Sequence, residues 1–162
     1  MHFAIAQVQP REVGQESTTV QEKKFDFRDN KSGTSMMPIM GDALPAIKFI
    51  EDTMKVEIVR LEYDLIFKGK SKYTYRHLFK GWPYYGIYVI GDYRLKKLNI
   101  NVYVNRNKKW EFVSGTNSDT YTALAKVVPS SDVDSEEYAF EIKADEFVEG
   151  YKAGHYSILI YH

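Results

Sequence analysis

The chain has 162 residues, no cysteine and equal numbers of basic and acidic residues, 22 of each. This length fits one domain, and the lack of cysteine excludes disulfide frameworks, thiolate metal sites and cysteine nucleophiles. The zero net charge implies no simple polyelectrolyte partner, and no apolar run is long enough to predict a membrane span.

Residues 1–41 predict a flexible or extended arm, because polar residues dominate there and apolar residues are scattered. Within this arm, Ala4, Ile5 and Ala6 followed by Gln7 have the small-x-small form of a signal-peptidase site. Only three residues precede Ala4, too few for the charged and apolar regions of a signal peptide. Two explanations stay open: residues 1–6 are the remnant of a signal peptide that starts upstream of Met1, or the pattern is chance.

Residues 42–70 predict one long amphipathic helix. Asp42 is a suitable N-cap, and Pro45 falls in the first turn, where its missing N–H costs nothing. Apolar residues then recur at steps of three and four, which is one stripe on a helix. These residues are Ile47, Ile50, Met54, Ile58, Leu61 and Leu65. Cations and glycine at residues 68–70 are typical of a helix C-terminus.

From residue 71 the apolar period changes from 3.6 to 2, which predicts a β-sandwich over residues 71–162. The predicted strands cover residues 72–79, 84–90, 98–104, 110–113, 121–128, 137–143 and 155–161. The strand at 84–90 is apolar on both faces, as in a strand covered on two sides. We therefore expect an α+β chain with a flexible N-terminal arm, one long helix and a six- to seven-stranded antiparallel sandwich or jelly roll. The helix either covers one sheet or docks its stripe on a partner.

Four short motifs stand out in the predicted sandwich: Leu78-Phe79-Lys80-Gly81-Trp82, Ile90-Gly91-Asp92, Asn99-Ile100-Asn101-Val102-Tyr103 and Gly154-His155-Tyr156-Ser157-Ile158. Through them, residues 78–161 resemble the pre-peptidase C-terminal domains, which are small β-sandwiches of the bacterial envelope. The resemblance implies a periplasmic or extracellular module that binds or supports a partner without catalysis. Asn99 and Asn101 stand where the family pattern has acidic residues, and amides attract calcium much less than carboxylates. We therefore predict no metal and no cofactor.

No catalytic motif is found. The chain lacks a Gly-x-Ser-x-Gly elbow, a His-Glu-x-x-His pair and a P-loop. His77 alternates with Tyr75 and Phe79 in a predicted strand, and no nucleophile and orienting carboxylate accompany it. The acids between residues 136 and 149 follow one another along a strand and its loop, whereas a glycosidase needs two carboxyls across a cleft. The sequence predicts a protein that is not an enzyme.

Charge is segregated along the chain although it cancels overall. Residues 68–109 contain eleven basic residues and one acid, a net charge of +10, and residues 111–149 contain ten acids and two lysines, a net charge of −8. One interpretation is that the two segments supply neighbouring strands whose charges pair across a sheet. The other is a dipolar surface that orients a charged partner or head-to-tail copies.

Two functions from different classes fit these patterns. The first is a non-catalytic accessory or structural subunit of a bacterial envelope or extracellular assembly, which binds a protein partner or another copy through arm, helix and sandwich. The second is a module that binds a glycan or a polyanion through the basic, aromatic-rich segment 68–110. The candidate binding residues are Trp82, Tyr84, Arg94, Lys96 and Lys97. Nucleic acid is disfavoured as a partner because no RNA- or DNA-binding motif occurs.

Overall fold

The structure is a computed structural model that describes residues 36–162. One helix comes first: α1 spans Met37–Lys48 and continues as a π-helical segment, Phe49–Thr53. The strands that follow are β1 Ile58–Phe67, β2 Ser71–Phe79, β3 Tyr85–Gly91, β4 Leu95–Arg106, β5 Lys109–Asn117, β6 Thr122–Val127, β7 Ser135–Phe147 and β8 Ala153–Tyr161. The chain is an α+β sandwich, the fold class that the sequence predicts. The candidate signal-peptide remnant at residues 1–6 and most of the predicted arm lie outside the described residues.

The strands form two antiparallel four-stranded sheets. Sheet 1 has the order β1-β8-β3-β6, and sheet 2 has the order β2-β7-β4-β5. Alternate residues of the strands point between the sheets and form the main core, among them Ile87, Val89, Ile100, Val102 and Phe140. Burial of this apolar surface is the principal force that holds the two sheets together.

Helix α1 packs on the outer face of sheet 1. Ile39 and Ala43 of the helix form a second buried cluster with Ile90 of β3 and with Leu159 and Tyr161 of β8. This packing explains why β3 and β8 are apolar on both faces, since one face meets sheet 2 and the other meets the helix. Of the two alternatives for the helix, the structure shows that it covers its own sandwich.

The predicted helix over residues 42–70 is wrong in its second half, because Ile58–Phe67 is strand β1. Lys55 adopts a positive φ of 57°, which ends the helical segment. The chain beyond it is rich in β-branched and aromatic residues, which favour a pleated strand. β1 pairs with β8 from Ile58, opposite Tyr161, to Phe67. The apolar steps of three and four thus do not mark one helical stripe, and the sandwich gains an eighth strand.

The start of the helix also differs from the prediction. α1 begins at Met37, within the predicted arm, and Pro38 occupies its first turn, where a missing N–H is tolerated. Asp42, predicted as the N-cap, therefore lies inside the helix. Pro45 is also internal and cannot donate a hydrogen bond to the carbonyl of Gly41, four residues earlier.

Candidate functional site

A groove of about 790 Å³ runs between the helix and sheet 1. Pro45 and Phe49 form one wall, and Tyr88 of β3 lies at its base. Tyr121 and Leu124, at the start of β6, form the opposite wall. The groove is concave, mostly apolar and rich in aromatic side chains, which is the usual character of a binding site.

The groove exists because the helix packs mainly on β3 and β8 and leaves the outer face of β6 beside it. Along β6, Ala123, Ala125 and Val127 are buried towards the core, whereas Leu124 and Lys126 point outward and are exposed. Small inward residues keep β6 close to sheet 2, and the outward leucine is left facing the helix across open space.

The exposed side of α1 carries a second apolar cluster, separate from the residues that line the groove. Met37, Met40 and Leu44 are 63%, 47% and 54% exposed, and their spacing places them on one side of the helix. The opposite side carries the buried Ile39 and Ala43. We call the groove together with Met37, Met40 and Leu44 the helix-side surface. Exposed apolar surfaces of this kind usually mark an interaction site.

A buried charge network fixes the corner between β3 and β4, next to the groove. Asp92 and Arg94 are both 0% exposed. Arg94 Nε donates to Asp92 Oδ2 at 2.8 Å, and the Arg94 backbone N–H donates to Oδ1 at 3.0 Å. The backbone N–H of His155 donates to Asp92 Oδ2 at 2.9 Å. Each buried charge is therefore paired and hydrogen bonded, as its burial requires.

His155 is held as a neutral ring within this network. Its Nδ1 lies 2.8 Å from Arg94 Nη2. Because a guanidinium can only donate, Nδ1 accepts and the ring proton resides on Nε2. Burial lowers the pKa of His155, and the charge of Arg94 lowers it further, whereas Asp92 and Asp64 act in the opposite direction. This histidine thus contributes to packing as an uncharged acceptor.

Two tyrosines that line the groove, Tyr93 and Tyr161, have raised pKa values. Burial raises the pKa of Tyr93 to about 12, and a hydrogen bond with Tyr151 contributes to the rise. The Tyr93 and Tyr151 rings pack edge to face with centroids 5.7 Å apart. Burial also raises the pKa of Tyr161. The base of the groove therefore offers apolar surface and neutral phenols.

The structure does not bring the five candidate binding residues together. Trp82 and Tyr84 precede β3, whereas Arg94, Lys96 and Lys97 follow it, so roughly 20 Å of strand separates the two sets. The Trp82 ring stacks on His162 at 3.6 Å, and Lys126 Nζ lies 4.0 Å from the Tyr84 ring centroid.

The cations of this set differ in their surroundings. Arg94 is in the interior, where it meets Asp92 and not a partner at the surface. Lys97 pairs with Asp119 at 3.0 Å, and Lys96 is exposed.

The segregated charges pair across the fold. Lys80 Nζ lies 2.9 Å from Asp134 Oδ1, and Arg106 Nε lies 3.0 Å from Glu136 Oε1. Lys97 pairs with Asp119 in the same way. Each pair joins the basic segment 68–109 to the acidic segment 111–149. The structure thus supports the first interpretation of the charge pattern, in which the segments are neighbours.

The residues considered for catalysis lie apart. His77 is exposed on β2, and His155 is buried at the Asp92 corner. Glu136 is buried and accepts from Tyr138, whereas Glu137 points to the other face of β7. Between residues 36 and 162, no three His, Asp or Glu side chains group as a metal site would require. No helix in that range is long and apolar enough to span a membrane.

Sequence reasoning missed the helix-side surface because it placed the start of the helix at Asp42. Met37, Met40 and Leu44 then fell in the arm or outside the apolar stripe. The sequence signal for the earlier start was Pro38, because proline is typical of the first turn of a helix. The apolar residues that follow Pro38 would lie on every side of such a helix.

No protein-family model matches the sequence, and a search of curated proteins finds no significant match. The resemblance to pre-peptidase C-terminal domains therefore stays a prediction.

Proposed function

We propose that this protein is a non-catalytic accessory subunit of a bacterial envelope or extracellular assembly. It docks on an apolar segment of a protein partner through the helix-side surface. The single observation that carries the proposal is this surface itself, an aromatic groove beside a helix whose outward side is also apolar.

The chemistry of the surface favours a protein segment as its occupant. Interface centres are rich in aromatic residues and methionine and poor in charge. Phe49, Tyr88 and Tyr121 give the groove this composition, and Met37 and Met40 give it to the exposed side of the helix. Methionine side chains adapt to irregular partner surfaces, which suits a docking helix.

The sandwich positions this surface. The helix lies on β3 and β8, and the buried Asp92–Arg94 pair holds the β3–β4 corner at one end of the groove. A wall built on packed strands changes little on binding, so less conformational entropy is lost when a partner docks. The bacterial envelope or extracellular setting is supported by the resemblance of residues 78–161 to pre-peptidase C-terminal domains.

The proposal is tested by capture from gently solubilised native cells with matched variants of the tagged full chain. The double variant Met40→Asp/Leu44→Asp places two charges on the exposed side of α1. Val133→Asp introduces one charge at an exposed apolar position in the loop before β7 and serves as the control. We expect wild type and the control to retain one partner stoichiometrically, and the double variant to retain at least about tenfold less, which corresponds to about 1.4 kcal/mol.

Three other outcomes would overturn the proposal. Equal retention by the double variant would place the contact elsewhere. Recovery of the chain alone would show that it has no stable protein partner. Recovery of only a second copy of this chain would replace the hetero-complex with self-association. Near-ultraviolet circular dichroism of each variant checks that the sandwich is intact.

A further inference from the structure

The outer face of sheet 2 lies on the opposite side of the molecule from the helix, and no helix or strand of residues 36–162 covers it. Aromatic side chains project from its strands. On β2 they are Tyr73 and Tyr75, on β4 Tyr103, and on β5 Trp110 and Phe112. We call these five residues, with the polar groups between them, the aromatic face.

The aromatic side chains reach across the face. Tyr75 and Trp110 belong to the two edge strands of the sheet, yet their ring centroids are 5.6 Å apart. Tyr103 and Phe112 pack edge to face at 5.8 Å. Tyr75 remains 50% exposed and Phe112 62% exposed, so these rings keep open surfaces towards solvent.

Amide and carboxylate groups fill the space between the rings. Asn105 Nδ2 donates to Glu137 Oε2 at 2.8 Å. Glu141 accepts from Tyr73 at 2.8 Å, from Asn101 at 3.1 Å and from Tyr103 at 3.2 Å. These bonds hold the polar groups in fixed positions. Amide groups and carboxylates have several donor and acceptor positions each, so capacity remains for a ligand.

This composition selects among ligand classes. The cores of protein interfaces are depleted in Asp and Glu, so two carboxylates at the centre disfavour an apolar protein segment. The same carboxylates repel a polyanion. Alternating ring faces and polar groups instead match a sugar chain, in which C–H surfaces alternate with hydroxyl groups. Aromatic faces attract C–H groups by dispersion and through the negative charge of the ring face.

We propose that the aromatic face binds a neutral polysaccharide, with sugar rings stacked on Tyr75 and Trp110 and hydroxyl groups hydrogen bonded to Asn105 and Glu137. This site is distinct from the helix-side surface, and it does not depend on the proposed function. It also differs from the sequence-based glycan site at Trp82 and Tyr84, which lie outside sheet 2.

Affinity electrophoresis of the full chain tests this proposal. Native gels contain hydroxyethyl cellulose, xylan or galactomannan as neutral polymers, with dextran sulfate as the anionic comparison. We expect at least one neutral polymer to retard the wild-type protein, and Trp110→Ala and Tyr75→Ala each to weaken the apparent affinity about tenfold. Trp82→Ala removes the other tryptophan of the chain and is the matched control, with no expected change.

The conservative variant Tyr75→Phe keeps the ring and should retain binding, which separates stacking from loss of structure. Retardation by none of the neutral polymers, or by dextran sulfate alone, would overturn the proposal. Equal loss in Trp82→Ala would do the same. Sedimentation tests one further outcome. If the wild-type protein is a dimer and Phe112→Asp converts it to a monomer, the aromatic face binds a second copy of the chain, and this would also overturn the proposal.

Discussion

Asp92 is the residue on which the corner between β3 and β4 depends. Its carboxylate receives the Arg94 side chain, the Arg94 backbone and the His155 backbone, all in the interior. The sequence shows Asp92 and Arg94 only as two charges after a strand, which is why Arg94 was predicted at the surface. Their burial follows from β8, which brings His155 from 61 residues away in the chain to Arg94.

Removing the Asp92 charge should destabilise the fold strongly. Asp92→Asn keeps the shape of the side chain but leaves the buried Arg94 cation unpaired, and we expect the free energy of unfolding to fall by about 3 kcal/mol or more. Asp134→Asn breaks an exposed pair with Lys80 and should change stability by less than about 1 kcal/mol. Urea denaturation at pH 8 measures both, and equal losses would contradict the buried-pair interpretation.

The neutral state of His155 predicts a pH dependence of stability. The folded-state pKa lies below the unfolded value of about 6.5, so the unfolded chain binds the proton more readily. Stability should therefore be constant well above pH 6.5 and fall as the pH drops below it, by up to about 1.4 kcal/mol per pH unit. His155→Asn, whose amide oxygen can accept from Arg94, should flatten the decline between pH 7 and pH 5. Urea denaturation across that pH range tests this prediction. If the free energy of unfolding of His155→Asn declines as steeply with pH as that of the wild type, His155 is not the cause of the decline.

At the scale of elements, the period-2 patterns from residue 71 onward predicted all of the strands β2 to β8. Alternation is a local signal, and it persists wherever one face is buried. The segment Ile58–Phe67 could not be assigned in this way, because its apolar residues fit a helix as well as a strand. Pairing with β8 decides the conformation of Ile58–Phe67. Residues His155–Tyr161 of β8 are buried, so the edge of β8 that does not face β3 needs a neighbouring strand. Such pairing depends on residues almost 100 positions away and is not visible in the segment itself.

Two glycine substitutions test the packing of these elements in opposite directions. A Cβ at Gly86 of β3 would collide with the Tyr161 ring of β8, so Gly86→Ala should lower the free energy of unfolding by about 1–3 kcal/mol. Gly41 lies inside α1 with open space around it, and Gly41→Ala should raise stability by about 0.5–1 kcal/mol. Thermal and urea unfolding of the pair measure the effect. A rise in stability for Gly86→Ala would contradict the contact between β3 and the Tyr161 ring, and a fall for Gly41→Ala would contradict the open space around that glycine.

At the scale of the whole molecule, the two outward faces of the sandwich have different chemistry. Sheet 1 carries the helix and an apolar groove, whereas sheet 2 carries aromatic rings interleaved with amides and carboxylates. In the sequence, the residues of the aromatic face occupy alternate positions along β2 and β4. Examples are Tyr73, Tyr75, Asn101 and Tyr103. It does not show which strands are adjacent, so the face emerges only from the order β2-β7-β4-β5. The groove likewise requires the position of the helix over β3 and β8.

The measurement that tests the helix-side docking most directly is site-specific photocrosslinking in native cells. A photoreactive phenylalanine analogue replaces Leu44 on α1 in one protein and Val133 in the loop before β7 in another, both exposed apolar positions. The docking proposal predicts a single crosslinked partner protein from position 44 and no such product from position 133. Equal crosslinking from both positions, or no protein crosslinked from position 44, would contradict it.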